Sequence, residues 1–269
     1  NIGLISSLAQ RGDTIIADEL IHASLIDGAR LSYANRYTFK HNDLNELEVK
    51  LKASKGNIYI LIESIYSMDG DLAPITEISK LCKQYQANLI VDEAHALGIF
   101  GPQGSGVVQM LGLEQDVFAR IVTFGKALGC HGAIVLGSIN LRNYLINFAR
   151  SFIYTTAAPI HSIATINSAY HMLIKTDYTK QIEYKIRLYK SLLKDTKIPT
   201  IESTSAIQTV LYNNVNDAKL AAQKLQSKGL DVRAILSPTV PEGKERLRIC
   251  LHLFNSDQEI EMLVSELKN

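Results

Sequence analysis

Cysteine is scarce in this sequence, which has three cysteines among 269 residues and no tryptophan. Cys82, Cys130 and Cys250 lie far apart, are odd in number and form no C-x-x-C pair. This pattern argues against a disulfide framework and against a zinc site. A reducing compartment fits such a chain, and we therefore predict a cytoplasmic location.

The sequence also lacks an excess of charge of either sign and has no long apolar run. Lys and Arg total 28 while Asp and Glu total 27, so the charge balance gives no reason to expect nucleic acid or an anionic membrane as a partner. Nothing approaches 18 consecutive apolar residues, and the first residues, NIGLISSLAQRGD, lack the basic region and cleavage site of a signal peptide. We therefore expect small molecules as partners.

Strand-like and helix-like segments alternate over the first half of the chain, which predicts an α/β fold with a layered sheet. The helix-like segments include 43–53, where Asp43 is a suitable N-cap, and 74–86, where Pro74 lies near the first turn. A further helix is expected over 22–33. The strand-like runs are 13–19, 36–40, 57–65, 88–94, 120–124 and 132–138.

The second half of the chain predicts a long helical region followed by a smaller α+β unit. Residues 140–197 are helical in pattern and Pro199 ends that region. Strand-like runs at 206–213, 231–236 and 245–253 then alternate with helices over 216–228 and 256–268. We predict a large domain over 1–175, a connecting helix over 176–197 and a small domain over 198–269.

The stretch LIVDEAHALG contains Asp-Glu-Ala-His, which is also the magnesium-binding box of helicases. That function requires a P-loop, and no G-x-x-x-x-G-K-[ST] occurs in the chain. The two Gly-Lys pairs end in Lys126 and Lys244 and are followed by Ala and Glu. The sequence therefore disfavours an NTPase.

Two polar residues follow strand-like runs where an open α/β sheet binds ligands. Asp92 lies toward the C-terminal end of the run 88–94, and Lys126 lies in TFGKALGCHG, just after the run 120–124. Alone, Asp92 could equally be a solvated strand end or a helix cap. A parallel sheet would bring both residues to one edge, where a carboxylate and a lysine can hold a pyridine nitrogen and an aldehyde.

Six motifs, in order along the chain, resemble those of the α-oxoamine synthases, a branch of the fold type I pyridoxal 5'-phosphate (PLP) enzymes. They are DELIHAS, ESIYSMDGD, VDEAH, TFGKALG, FARSFIYTTAAP and SPTVPEGKERLRI. The resemblance covers essentially the whole chain. It implies an aspartate-aminotransferase-like fold with a mostly parallel sheet in a three-layer large domain, PLP as cofactor and a homodimer with shared active sites.

By this resemblance, Lys126 is the Schiff-base lysine, which needs an unprotonated amine in a dry site. Asp92 would pair with the pyridinium nitrogen, and His22 would stack on the ring and also face the substrate. His22 could otherwise be an ordinary histidine at a helix start. The other implied cofactor contacts are His95 near the phenolic oxygen, the hydroxyls of Ser67 and Thr123, and Thr155 and Thr156 at the phosphate of the neighbouring subunit.

Some implied contacts have plain structural alternatives. Ser67 could be a turn hydroxyl, and Thr155 and Thr156 could cap a helix that starts near Pro159. Arg248 matches the arginine that grips the amino-acid carboxylate, whereas Arg246, two residues earlier in the same strand, could equally be a surface residue.

The resemblance implies an acyltransferase that joins L-alanine to a pimeloyl thioester, carried on CoA or acyl carrier protein, in biotin synthesis. Thr239 matches a position near the acyl entrance, and Leu236 stands where several relatives carry Arg. The chain does not start with Met and begins after the family's glycine-containing phosphate loop, so we expect a fragment. The alternatives are another member of the branch, such as a glycine C-acetyltransferase, or a non-catalytic protein that keeps the fold.

Overall fold

The computed structural model describes residues 1–268, which divide into two units. The first unit contains Asn1–Ile65 and Ala73–Thr176, and the second contains Tyr66–Leu72 together with residues from Asp177 onward. The chain thus leaves the first unit for seven residues and then returns to it. The helical region that the sequence analysis treated as a connecting helix over 176–197 lies in the second unit.

The first unit is built on a six-stranded sheet with the order β2-β1-β3-β4-β5-β6. Pairs β1–β2, β1–β3, β3–β4 and β4–β5 are parallel, and β6 is antiparallel to β5. Every residue of β1 and β3 is buried, as expected of parallel strands covered on both faces. The strands are β1 Thr14–Asp18, β2 Asn35–Phe39, β3 Ile58–Glu63, β4 Asn88–Asp92, β5 Ala119–Thr123 and β6 Ala133–Gly137.

The start of one helix of the first unit has a clear local cause. Asp43 caps its helix by accepting a hydrogen bond from the Glu46 backbone N–H at 3.0 Å, as predicted. The helices of this unit are α1 Ile2–Leu8, α2 Ala23–Leu31, α3 Leu44–Ala53, α4 Ile75–Gln84, α5 Val107–Met110, α6 Ile139–Phe148, α7 Arg150–Ile153 and α8 Ile160–Lys175, with a 3₁₀ turn at Pro102–Gly104.

The helical region expected over 140–197 is interrupted. Ala149 has an extended backbone between α6 and α7, and Pro159 precedes α8 as its N-cap residue. A proline disfavours helical geometry in the residue before it, which fits the start of α8 directly after Pro159.

The second unit is an antiparallel sheet with the order β7-β9-β8, together with three helices. Leu247 of β9 is fully buried and pairs with Val210 of β7 and Ala234 of β8. The elements are α9 Tyr178–Leu193, β7 Ile207–Tyr212, α10 Val215–Ser227, β8 Arg233–Ile235, β9 Glu245–Cys250 and α11 Asp257–Lys268. The strand expected over 231–236 is therefore only three residues long.

Candidate active site

Asp92 is the last residue of β4, at the edge of the sheet where the parallel strands end. Its side chain is buried, and its Oδ1 accepts a hydrogen bond from the Ala94 backbone N–H at 2.9 Å. Its Oδ2 accepts one from Asn1 Nδ2, also at 2.9 Å. Both donors are neutral and hold the carboxylate in place. The amino group of Asn1 also interacts with this carboxylate: burial lowers the pKa of the amine, and the charge of Asp92 acts in the opposite direction.

A chain of hydrogen bonds joins Asp92 to His22. Asn1 Nδ2 also contacts Ser24 Oγ at 2.7 Å, and Ser24 Oγ lies 2.7 Å from His22 Nδ1. His22 is the N-cap of α2, because its Nδ1 accepts from the Ser24 backbone N–H. This cap fixes the ring at the helix start and leaves it exposed. His22 can therefore cap α2 and still offer its exposed ring to the predicted cofactor.

Lys126 lies in the turn between β5 and β6, three residues beyond the end of β5. The turn is closed by hydrogen bonds from the Cys130 N–H to the Phe124 oxygen and from the Gly129 N–H to the Lys126 oxygen, at 2.8 and 3.1 Å. Because β4 and β5 are parallel, Lys126 and Asp92 follow strand ends on one edge of the sheet. Lys126 is exposed in this chain, whereas its apolar flanks had suggested a dry site.

Thr123, the last residue of β5, carries a hydroxyl without an internal partner. Its Oγ1 is buried and makes no hydrogen bond to any part of the chain between residues 1 and 268. A buried hydroxyl normally has a partner, so an unpaired one beside Lys126 and Asp92 suits a polar ligand bound there. The predicted cofactor contact of Thr123 fits this observation.

The residues of the Asp-Glu-Ala-His stretch have different surroundings. Glu93 is fully buried and accepts hydrogen bonds from Arg120 Nε at 2.7 Å and from the Val108 backbone N–H at 2.9 Å. Arg120 donates in turn to the Ser105 carbonyl at 2.7 Å. Glu93 therefore ties the segment before α5 to β5, and His95 lies half-buried in the turn that follows. Within residues 1–268, no cluster of His, Cys, Asp or Glu is suited to a metal ion.

Arg248 and Ser67 meet in the second unit. Arg248 Nε donates to the Ser67 carbonyl oxygen at 2.7 Å, and Arg248 Nη1 contacts Cys250 Sγ at 3.1 Å. Burial raises the pKa of the Cys250 thiol, and the nearby Arg248 charge partly opposes this. Between residues 1 and 268, Arg248 forms no ion pair with a carboxylate, so its charge is available to an anionic ligand.

Arg246 is buried, although its position in the sequence was also consistent with a surface residue. Its side chain is 5% exposed and forms an ion pair with Asp69, whose side chain is 13% exposed. The surface interpretation was wrong because the strand face shared with Arg248 is covered by the segment Tyr66–Leu72 of the same unit.

The remaining predicted residues lie in exposed coil. Thr155 and Thr156 occupy the segment between α7 and α8, and neither caps α8, whose N-cap is Pro159. Thr239 follows β8 and is exposed, while Leu236 nearby is half-buried.

The model of the family described as aminotransferase class I and II matches residues 1–267. The chain belongs to that family. An 8-amino-7-oxononanoate synthase from Emericella nidulans is 42% identical, over 98% of this chain and 69% of its own length. The solved 8-amino-7-oxononanoate synthase of Francisella tularensis has a TM-score of 0.88 at 28% identity, covering 99% of this chain and 78% of that protein.

A high-resolution structure of serine palmitoyltransferase (SPT) that contains PLP has a TM-score of 0.94 at 28% identity, covering 99% of this chain and 68% of that protein. The predicted family, the α-oxoamine synthase branch, and the predicted fold class, fold type I, are both confirmed. No helix among residues 1–268 has the length and apolar character needed to cross a bilayer.

Sequence reasoning missed several residues that contact the predicted site residues within each unit. Asn1 and Ser24 link Asp92 to His22, and Asp69 pairs with Arg246. Ser24 lies inside the DELIHAS motif and Asp69 inside ESIYSMDGD, so both could have been noted as polar residues two places from a predicted contact. Nothing in the local sequence marks Asn1.

Proposed function

We propose that this chain catalyses the condensation of L-alanine with a pimeloyl thioester to give 8-amino-7-oxononanoate, CO2 and the free thiol. The observation that carries the proposal is the placement of Lys126 and Asp92 at one edge of the sheet, in a chain 42% identical to a synthase of that name. The enzyme class is an acyltransferase of the PLP-dependent family. Three free cysteines fit a reducing compartment such as the cytosol.

PLP, the cofactor of this fold family, fits the residues present. Lys126 supplies an amine for its aldehyde, Asp92 a carboxylate for its ring nitrogen, and Thr123 a buried hydroxyl that lacks a partner in the described chain. His22, His95 and Ser67 are the further residues that we assign to it. When bound, PLP supplies an electron-withdrawing ring that stabilises negative charge at the α-carbon of an amino acid.

The side chains divide the remaining work. Asp92, held by two neutral N–H donors, accepts a hydrogen bond from a protonated ring nitrogen and keeps the proton there. The Lys126 amine takes the proton from the α-carbon of alanine and returns one after CO2 is lost. Thr239, exposed after β8, is assigned to the acyl end of the thioester substrate.

Arg248 binds the carboxylate of the amino acid. Its Nε is already used by the Ser67 carbonyl, which fixes the plane of the guanidinium. Fixing the plane directs the terminal nitrogens, and a planar fork suits two parallel hydrogen bonds to a carboxylate.

A homodimer with shared sites belongs to the proposal. Large apolar side chains are exposed along one stretch of the first unit, which is unusual for a free surface. They are Phe148, Phe152, Ile153, Tyr154, Ile160 and Ile163. Thr155 and Thr156 lie within this stretch, which supports their assignment to the cofactor phosphate of the neighbouring subunit.

Heterodimers test the shared site. Mixing inactive Lys126→Ala subunits with inactive Thr156→Val subunits gives heterodimers in which one site carries both changes and the other carries neither. We expect part of the activity to return. Proven heterodimers without any recovered activity would contradict a site built from two subunits.

Borohydride reduction of the PLP-loaded full chain, followed by peptide mapping, tests the central assignment. We expect a pyridoxyl group on Lys126 in the wild type and in the control Lys219→Ala, which changes an exposed lysine of α10. Lys126→Ala should lose the modification. A pyridoxyl group on another lysine, or on none, would refute the assignment.

Product analysis tests the substrates. Mass spectrometry after incubation with L-alanine, glycine or L-serine and a small panel of acyl thioesters should show 8-amino-7-oxononanoate from L-alanine and the pimeloyl thioester. A product formed from glycine and acetyl thioester alone would assign the chain to another activity of the branch. A colourless protein with no product would indicate a non-catalytic relative.

A further inference from the structure

The segment Tyr66–Leu72 forms a closed turn within the second unit. The Gly70 N–H donates to the Tyr66 oxygen at 2.8 Å, and the Tyr66 N–H donates to the Asp71 oxygen at 3.1 Å. Ser203 Oγ donates to the Gly70 oxygen at 2.8 Å, which seats the turn against the residues before β7. The turn therefore has a defined shape and a defined anchor.

Two arginines on one face of β9 hold the other side of this turn. Residues two apart in a strand point to the same face, about 6.6 Å from one another. Arg248 donates to the carbonyl of Ser67, and Arg246 forms its ion pair with the carboxylate of Asp69. Ser67 and Asp69 are also two residues apart, so both contacts depend on one alignment of the turn with the strand.

The two arginines differ in what remains available to a ligand. The side chain of Arg246 is 5% exposed and forms an ion pair with Asp69. Its Nε donates a hydrogen bond to the backbone oxygen of Lys244 at 3.1 Å. Arg248 has no carboxylate partner between residues 1 and 268. Without Arg246, the carboxylate of Asp69 would lack its cation and could compete for Arg248.

A buried ion pair is a costly way to attach a turn, since apolar side chains of similar volume often stabilise a fold as well or better. The presence of this ion pair is explained if it controls which charged groups lie close to Arg248. We infer that Arg246 is a positioning residue that holds the Asp69 carboxylate and keeps it from neutralising Arg248, so that the Arg248 charge remains available to a ligand. This inference rests on the proposed function, because it assigns the Arg248 charge to the substrate carboxylate.

The test is the affinity of the PLP-loaded full chain for L-alanine, measured from the visible absorption change. Arg246→Met leaves Asp69 unpaired beside Arg248, so we expect the dissociation constant to rise about tenfold or more. Adding Asp69→Asn removes the competing charge and should bring the constant back to within about threefold of wild type. The KM for the thioester should change much less than the KM for L-alanine in every variant.

The control is Glu183→Gln, which removes an exposed Glu–Arg pair of α9, where Glu183 and Arg187 are 59% and 68% exposed. It should leave L-alanine affinity unchanged. If Arg246→Met does not fold, Arg246→Gln replaces it: it should raise the dissociation constant in the same way, and adding Asp69→Asn should again restore it.

Equal loss of affinity in Arg246→Met and in the double variant would overturn the inference, because a merely structural role predicts no rescue. Unchanged affinity in all variants would also overturn it while leaving the proposed function intact. A wild type that responds to no amino acid would instead refute the proposed function, and this inference with it.

Discussion

The ion pair between Glu93 and Arg120 allows a quantitative test of how the first unit is held together. Glu93 is fully buried and accepts from Arg120 and from the Val108 N–H, while Arg120 also donates to the Ser105 carbonyl. Arg120→Met keeps the volume of the side chain but leaves the Glu93 carboxylate buried with one remaining donor. It also removes the partner of the Ser105 oxygen.

Breaking a buried pair by removing one partner costs about 3 to 5 kcal/mol, because the other charge stays uncompensated. Replacing both members is far less harmful, so Glu93→Gln added to Arg120→Met should recover at least about 1 kcal/mol. The exposed pair between Lys83 and Asp116 provides the control: Lys83 is 60% exposed, and Lys83→Met should cost no more than about 1 kcal/mol.

The assay is urea unfolding followed by circular dichroism at neutral pH. With a urea dependence of about 3 kcal/mol per molar, Arg120→Met should lower the midpoint by about 1 M or more. A loss no larger than that of Lys83→Met would refute the reasoning, because it would mean that water or another donor satisfies Glu93 once Arg120 is gone. A double variant less stable than Arg120→Met would contradict the expected recovery.

Three further predictions concern single positions. Gly70→Ala should lower the thermal midpoint by several degrees, since φ is +80° there and a Cβ would lie 2.3 Å from the Ile207 oxygen; an unchanged midpoint would contradict the packing of the turn. Asp43→Ala should cost about 1 kcal/mol in urea unfolding by removing the cap on Glu46, and Asp43→Asn should cost less. Burial raises the pKa of Cys82 to about 12, so this thiol should resist iodoacetamide at pH 8 in the folded chain and react after unfolding, as peptide mapping would show. Because folding raises that pKa, Cys82 should also lower the stability of the fold as pH rises above about 9.

The elements that carry the first half of the site could be predicted from local pattern. Apolar runs bounded by polar residues gave the strands that end at Asp92 and Thr123, and the rule for parallel sheets placed Lys126 at the same edge. The N-cap at Asp43 followed from residue type alone. These features depend on a few neighbouring residues, which is why a single sequence contains them.

Contacts between distant segments could not be predicted in the same way. Ser67 and Arg248 are 181 residues apart, and no periodicity links them. The same holds for Asp69 and Arg246, whose alternation along β9 fits either a surface or a covered face. Which of the two applies is decided by the turn that packs there.

Asp92 and Glu93 are adjacent carboxylates whose hydrogen-bond partners differ in charge. Glu93 is neutralised by the guanidinium of Arg120, whereas Asp92 is held by the Ala94 N–H and the Asn1 amide. Neutral donors orient a carboxylate without cancelling its charge, so the hydrogen bonds of Asp92, unlike those of Glu93, do not neutralise it with a guanidinium. That difference suits a protonated ring nitrogen and supports our proposal that the first carboxylate of this stretch binds the cofactor, while the second holds the fold together.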